Sequence, residues 1–174
     1  MVSLIVHAVL GIAVIVAIVG SNTHVFRTPA TPKVSVLEAV YYLAGIAATA
    51  IGYYFNIRYV SEYAPGGVHN PIWGHGSWAE FIRLGYANPA AGSASEDYTI
   101  MSLTVLPLFT IIDGHRRGVR HPWLYFLLVL FASSAFAWAF YLATVERQRR
   151  MKAATRTDPG PLLTKSGLTD PNVR

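Results

Sequence analysis

Apolar residues gather in four segments of the chain, and polar stretches separate these segments. They cover about residues 2–20, 34–59, 95–113 and 122–144. At about 1.5 Å per residue, runs of this length cross or nearly cross the roughly 30 Å hydrocarbon core of a bilayer. The pattern predicts an all-α polytopic membrane protein in which residues 1–150 form a bundle of four transmembrane helices.

Composition agrees with this class. Of the 174 residues, 53% are hydrophobic and only 13% are charged, and the mean hydropathy is +0.38. These values are too apolar for an ordinary soluble domain. The chain contains no cysteine, which excludes disulfides, thiolate metal sites and thiol nucleophiles. Nothing in the sequence points to a cofactor.

The third apolar segment is short and is bounded by residues typical of helix ends. Ser93 and Glu96 have the spacing of a capping box, and Asp97 adds negative charge near the helix N-terminus. This predicts a helix start near residue 93 or 95. Asp113 and the glycine after it are typical of the helix end. Pro107, inside the segment, predicts a kink.

One long loop, residues 61–92, is rich in Gly, Pro, Asn and His. Within it, the spacing of Trp78, Phe81 and Ile82 predicts a short helix with one apolar face. That helix lies in the membrane interface or forms a cap over the mouth of the bundle. His69, His75 and Glu80 match no standard zinc spacing, so no metal site is predicted.

The basic residues give a formal net charge of +5. They cluster after the third and fourth segments, where anionic lipid headgroups would meet them, so lipid explains the charge better than nucleic acid does. The residues predicted to contact headgroups are Arg116, Arg117, Arg120, Arg147, Arg149, Arg150 and Lys152. For four crossings, lysine and arginine are almost evenly divided between the two sides, which leaves the orientation open.

Small residues recur at four-residue spacing in two of the segments, a pattern that lets helices approach closely. These helix-packing residues are Ala44, Ala48 and Gly52 in the second segment and Ala135, Ala139 and Ala143 in the fourth. The two ridges either pack on each other or contact another protein.

His7, in the first segment, is expected to reach the interface. That segment is predicted to be a retained helix, because it lacks the basic start and cleavage site of a signal peptide.

The C-terminal residues 151–174 are polar and proline-bearing. They have too little apolar content to fold alone, which predicts a tail that is disordered or becomes ordered on a partner. Four crossings would place both termini and the long loop on one side of the membrane.

Residues from Trp78 to Arg150 resemble DUF2834, an uncharacterised bacterial membrane family. The resemblance rests on Asn88-Pro89, Asp97, a basic glycine-containing hinge from Asp113 to Arg120, the aromatic restart at Trp123 and the basic end at Arg147. It implies a multi-pass protein of the bacterial inner membrane and carries no activity with it.

Three functions remain open from the sequence. The first is an accessory subunit of a larger membrane complex, with other membrane subunits and anionic lipids as partners. The second is a membrane enzyme acting on a lipid or isoprenoid, with Asp97, Asp113, Glu38 or a loop histidine as acid or base. The third is a small carrier or pore, which would need polar groups or broken helices near the bilayer midplane. The small-residue ridges favour the accessory subunit.

Overall fold

A computed structural model of the chain describes residues 2–27, 32–67 and 70–157. Every regular element in these ranges is helical, so the all-α prediction is confirmed. The helices are α1 (Val2–Ser21), α2 (Thr23–Phe26), α3 (Val36–Tyr63), α4 (Trp78–Gly85), α5 (Pro89–Ile100), α6 (Leu106–Arg117), α7 (Leu124–Phe131) and α8 (Ser134–Thr157), with a π-helical turn (Met101–Val105) between α5 and α6.

Two of these helices, α1 and α3, are long and apolar enough to cross a membrane. Their mean hydropathies are 2.6 and 1.4. Each turns large apolar side chains outward, such as Ile12 and Val16 on α1 and Leu43 on α3. A surface of this kind is typical of helices that face lipid or another apolar partner.

The helical run that contains the third apolar segment begins at Pro89, earlier in the chain than the predicted start near residue 93 or 95. Asn88 caps α5 by accepting a hydrogen bond from Ala91 N–H at 2.9 Å, and Pro89 occupies the first turn. The prediction that Ser93, Glu96 and Asp97 cap this helix is therefore wrong. All three lie inside α5 and are exposed. The Asn-Pro pair supplies a stronger start signal than the capping-box spacing.

The same run continues as one helical path from α5 to α6, and its end also differs from the prediction. The π-helical turn lies just before Pro107, whose ring cannot fit against the carbonyl of Leu103 in a regular α-helix. The helix ends at Arg117, where Gly118 adopts φ +76°. Asp113 thus lies one turn inside α6 and does not cap its end.

The fourth apolar segment is a helical hairpin and not a single helix. The helix stops at Phe131 and restarts at Ser134. Tyr125 on α7 contacts the Tyr141 ring on α8 and bonds Thr144 Oγ1 at 2.8 Å, so the two helices are antiparallel. The prediction of one helix over 122–144 is wrong, because two serines interrupt the apolar run at its centre.

The hairpin brings distant basic segments to one end of the molecule. Asn22, fully buried after α1, donates to Arg120 C=O at 3.0 Å and accepts from Arg120 N–H at 2.7 Å. Arg147 on α8 donates to the carbonyls of Val25 and Phe26. We call this the basic end, formed by residues 22–27, 32–36, 113–123 and 145–157. The opposite, loop end holds residues 58–67 and 70–88.

Helices α3 and α8 pack closely over the middle of the molecule. A Cβ placed on Gly45 would lie 3.3 Å from Ala139 Cβ, and Gly45, Ala139 and Ala143 are buried. The fourth-segment ridge therefore packs internally through Ala139 and Ala143. Its partner on α3 is Gly45, one residue away from the predicted ridge.

The remaining predicted packing residues lie elsewhere. Ala44 and Ala135 are exposed, while Ala48 and Gly52 are half-buried beside a cavity. Any packing of Ala44 or Ala135 on another protein stays a prediction.

Helix α8 extends to Thr157, well past the predicted end of the fourth segment. The first residues of the predicted tail are thus helical. Residues 158–174 lie outside the described part of the chain.

Candidate functional site

A cavity of about 630 Å³ lies between the tip of the α7–α8 hairpin and the loop end. Its walls come from α1, α3, α4, the run from Ser95 to Leu103, and residues 129–135 of the hairpin. This volume falls within the roughly 300–1,000 Å³ range of small-molecule pockets. The cavity is the candidate binding site.

Two irregular stretches of helix form one wall of the cavity. Ala132 and Ser133, where the helix is interrupted, line this wall beside Ser102 and Leu103 of the π-helical turn. Ser102 of that turn donates to Ser134 Oγ at 2.7 Å, which joins the two stretches. Such interruptions are found mainly where backbone lines a cavity or a functional site.

Specific hydrogen bonds hold the tip of the hairpin in place. Ser133 Oγ accepts from Phe136 N–H at 3.0 Å and so caps α8. Tyr53 on α3 donates to the carbonyl of Phe131 at 3.3 Å, which uses one of the backbone acceptors freed where α7 ends. The site is therefore built by α3 as well as by the hairpin.

Helix α4 covers the cavity from the loop end. Trp78, Phe81 and Ile82 share the apolar face that the sequence predicts and line the cavity. The position of α4 agrees with the cap alternative. The Trp78 ring also stacks on His7 of α1 at a centroid distance of 5.4 Å, which connects α4 to α1.

A carboxylate fastens the segment that precedes α4. Glu80 Oε2 accepts from Gly76 N–H at 2.7 Å and from Tyr59 OH at 3.3 Å. The hydrogen bond from Gly76, with further contributions from Tyr59, His75 and Arg83, lowers the pKa of Glu80. Glu80 does not line the cavity, so its role there is structural.

The polar groups on the cavity wall are hydroxyl, amide and imidazole groups. Among the described residues, the lining includes no Asp, Glu, Lys or Arg. His7 Nδ1 donates to Ser3 C=O at 2.7 Å, since a carbonyl oxygen can only accept. The Asn56 amide lines the cavity and has no hydrogen-bond partner among the described residues. The arrangement can hold a largely apolar molecule by a few neutral hydrogen bonds.

The residues proposed from sequence as acids or bases do not meet in this cavity. Asp97 is exposed on α5. Asp113 pairs with Arg117 at 2.5 Å and accepts from Tyr141 OH at 2.7 Å. His75 is exposed and lies 3.4 Å from Glu80, and His69 lies outside the described residues. Within the described ranges, no three His, Asp or Glu side chains gather as a metal site would require.

Glu38 forms a buried ionic cluster at the basic end. It pairs with Arg147 at 3.2 Å and with Arg150, and it accepts from Tyr42 OH at 3.2 Å. Glu38 is 0% exposed, and the two arginine side chains are 14% and 11% exposed. Glu38 and backbone carbonyls therefore bind most of the donors of Arg147 and Arg150, and contact of these two residues with lipid headgroups stays a prediction.

The other five predicted headgroup residues are exposed at the basic end. They are Arg116, Arg117, Arg120, Arg149 and Lys152. Arg149 also pairs with Glu146 at 2.9 Å, a contact that lowers the pKa of Glu146 and raises that of Arg149. Lipid contact by these residues stays a prediction.

Two features were not predicted, although each has a recognisable local signal in the sequence. Ser133 and Ser134 stand between an apolar run of eight residues and a helix, where a cap is expected. On α1, Ala13, Ala17 and Gly20 have helical spacing and are exposed on its outward side, which is the same small-residue pattern that was read in α3 and α8.

The fold and the site together define a class: an all-helical protein with two helices able to cross a membrane and an apolar cavity at the tip of a helical hairpin. The profile of the family described as "Protein of unknown function DUF2834" matches residues 40–147. The chain belongs to this family, and the resemblance seen in the sequence is confirmed. Neither a curated protein nor a solved structure matches the chain.

Proposed function

We propose that this protein is a multi-pass protein of the cell membrane that serves as an accessory, non-catalytic subunit of a larger membrane assembly. In this proposal the chain crosses the membrane three times, through α1, α3 and the run from α5 to α6. The α7–α8 hairpin enters from the basic end and returns to it. This arrangement replaces the four crossings predicted from sequence.

The length of α7 supports the re-entrant hairpin. Its eight residues extend about 12 Å, which is less than half of the roughly 30 Å hydrocarbon core. Irregular backbone at such depth needs protein or a cavity around it. The tip meets α1, where a Cβ on Gly11 would lie 3.1 Å from the carbonyl oxygen of Phe131, and it meets α3 through Tyr53.

The hairpin also suggests an orientation. It places ten of the described lysine and arginine residues at the basic end: Arg27, Lys33, Arg116, Arg117, Arg120, Arg147, Arg149, Arg150, Lys152 and Arg156. The loop end holds two, Arg58 and Arg83. By the positive-inside rule the basic end faces the cytoplasm, where the exposed basic side chains would contact anionic headgroups.

The observation that carries the accessory role is the outward ridge of α1. Ala13, Ala17 and Gly20 are exposed, and a Cβ on Gly20 would meet no atom within 4 Å. Small side chains do not improve packing against lipid, whereas they let a neighbouring helix approach closely. The α8 ridge packs inside the molecule through Ala139 on Gly45 of α3, whereas the α1 ridge is available to a transmembrane helix of a partner.

The enzyme alternative has less support. Glu38 and Asp113 are bound to arginines, and neither they nor Asp97 line the cavity. Acid–base catalysis would need such a group within reach of the bound molecule.

Photo-crosslinking in native membranes tests the accessory role. A photoreactive amino acid at Ala17 should give one discrete crosslinked product that contains a different membrane protein. At Ile12, which is exposed on the neighbouring side of α1, the same probe should give little of that product.

Substitutions provide the matched comparison. Ala17→Leu should abolish co-purification of the crosslinked partner in mild detergent, and Ile12→Phe should leave it unchanged, with equal melting of both isolated variants. A product that contains only a second copy of this chain, or a protein that purifies alone without crosslinks from Ala17, would overturn the proposed role.

A further inference from the structure

The cavity is not needed for lateral packing on a partner, and its lining indicates what it holds. The described residues of the walls combine aromatic and aliphatic side chains with hydroxyl, amide and imidazole groups, and none of these residues is Asp, Glu, Lys or Arg. A buried charge without a partner is strongly unfavourable, whereas an apolar chain is stabilised by such walls. The lining therefore selects against a charged molecule.

We infer that the cavity binds an uncharged lipid with a long hydrocarbon chain and one hydroxyl or carbonyl head group. This inference rests on the membrane placement in the proposed function, and it is independent of any partner protein.

Two polar groups on the wall are suited to such a head group. The Asn56 amide offers both a donor and an acceptor, and no described residue satisfies it. His7 Nδ1 is occupied by Ser3 C=O, so the neutral imidazole presents Nε2 as an acceptor. A hydroxyl can donate to His7 Nε2 or to the Asn56 amide oxygen, and it can accept from the Asn56 amide nitrogen.

The rim of the cavity provides a path from the bilayer. Among the lining residues, Phe81, Ile82, Tyr98 and Leu103 are exposed by 45% to 56%. They belong to α4 and to the stretch around the π-helical turn, so the opening is flanked by apolar side chains. A lipid can enter from the membrane without exposing its chain to water.

Fluorescence quenching of Trp78 tests the inference directly, because this indole lines the cavity. The isolated protein in neutral detergent micelles would be titrated with a bromine-labelled long-chain alcohol and, separately, with the carboxylate of the same chain length at pH 8. Subtraction of the Trp78→Phe signal removes quenching of the other three tryptophans. We expect saturable quenching by the alcohol that unlabelled alcohol reverses, and at least about tenfold weaker binding of the carboxylate.

A matched pair of variants on α3 shows whether the ligand occupies the cavity. Gly52 lines the cavity and a Cβ there would meet no atom within 4 Å, so Gly52→Phe should fill the space and weaken alcohol binding by about tenfold or more. Ala50→Phe places the same ring on the exposed side of the same helix and should leave binding unchanged.

The Asn56→Leu variant distinguishes the contribution of the head group to binding from that of the hydrocarbon chain. Loss of one neutral hydrogen bond should weaken binding of the alcohol by about fivefold and leave a bromoalkane of the same length unaffected.

Quenching that is non-saturable, that is equal in the Gly52→Phe protein, or that is stronger with the carboxylate would overturn the inference. Reversal by unlabelled alcohol needs no variant and decides the question even if Gly52→Phe fails to fold. Failure of the accessory role would leave these binding results unchanged, because they use the isolated protein.

Discussion

Single buried polar residues join segments of this chain that lie far apart in sequence. Asn22 is paired with both backbone groups of Arg120, and Glu38 is paired with Arg147 and Arg150. Removing one partner of a buried charge pair is costly because the other charge is left without compensation. These contacts therefore fix the basic end, where the turn after α1, the start of α3 and the end of α8 meet.

The pH dependence of the α4 cap should depend on Glu80. Its pKa is lower in the folded protein because Gly76 N–H and Tyr59 OH bond the carboxylate. The stabilisation is thus present above the unfolded pKa of about 4.3 and is lost as the pH falls through the folded value. We expect the melting temperature in micelles to fall more between pH 7 and pH 3 for the wild type than for Glu80→Gln.

Glu96→Gln is the control for that measurement, since Glu96 is exposed on α5 and this variant should keep the pH profile of the wild type. A wild type and a Glu80→Gln protein with the same pH profile would mean that the carboxylate does not fasten the segment before α4.

Sequence reasoning at this scale identified where polar residues stand but not what they contact. The second segment was predicted to begin at about residue 34, close to the observed start of α3 at Val36, where Ser35 caps the helix. The two arginines that bind Glu38 lie 109 and 112 residues away in sequence. Hydropathy and spacing contain no information about such distant pairs.

At the scale of elements, the sequence predicted the apolar segments well and their geometry less well. The first two segments correspond to α1 and α3, and α4 was found from its apolar face. The hairpin was missed because helices of 8 and 24 residues in direct succession have the same continuous hydropathy as one crossing. The serines at the break distinguish the two arrangements only when the helix is examined for caps inside an apolar run.

The close contact of α3 with α8 predicts a position-dependent effect of bulky side chains on α8. Ala139 is buried against Gly45, so Ala139→Leu should lower the free energy of unfolding by about 1–3 kcal/mol. Ala135→Leu, one turn earlier and exposed, should change it by less than about 0.5 kcal/mol. Chemical denaturation of both variants in micelles measures the difference. Equal effects at the two positions would show that Ala139 does not pack on α3.

For the whole molecule, the proposed re-entrant hairpin changes how the charges would be divided between the two sides of the membrane. With a straight fourth helix, the hinge after α6 and the basic cluster on α8 would lie on opposite sides. In the hairpin they share the basic end, where Asn22 bonds Arg120 and Arg147 bonds Phe26. The even division of basic residues expected from sequence thus becomes a strong asymmetry.

Cysteine labelling tests this topology, and the chain is well suited to it because it contains no cysteine of its own. Single cysteines would replace Gly66 at the loop end, Arg116 at the hinge and Lys152 on α8, all of which are exposed. With a membrane-impermeant maleimide on intact cells, we expect labelling at position 66 only. Positions 116 and 152 should react after the membrane is permeabilised, since in the proposed topology the basic end faces the cytoplasm. A straight fourth crossing would instead place positions 66 and 152 on one side and position 116 on the other, so opposite labelling of positions 116 and 152 would contradict the re-entrant hairpin.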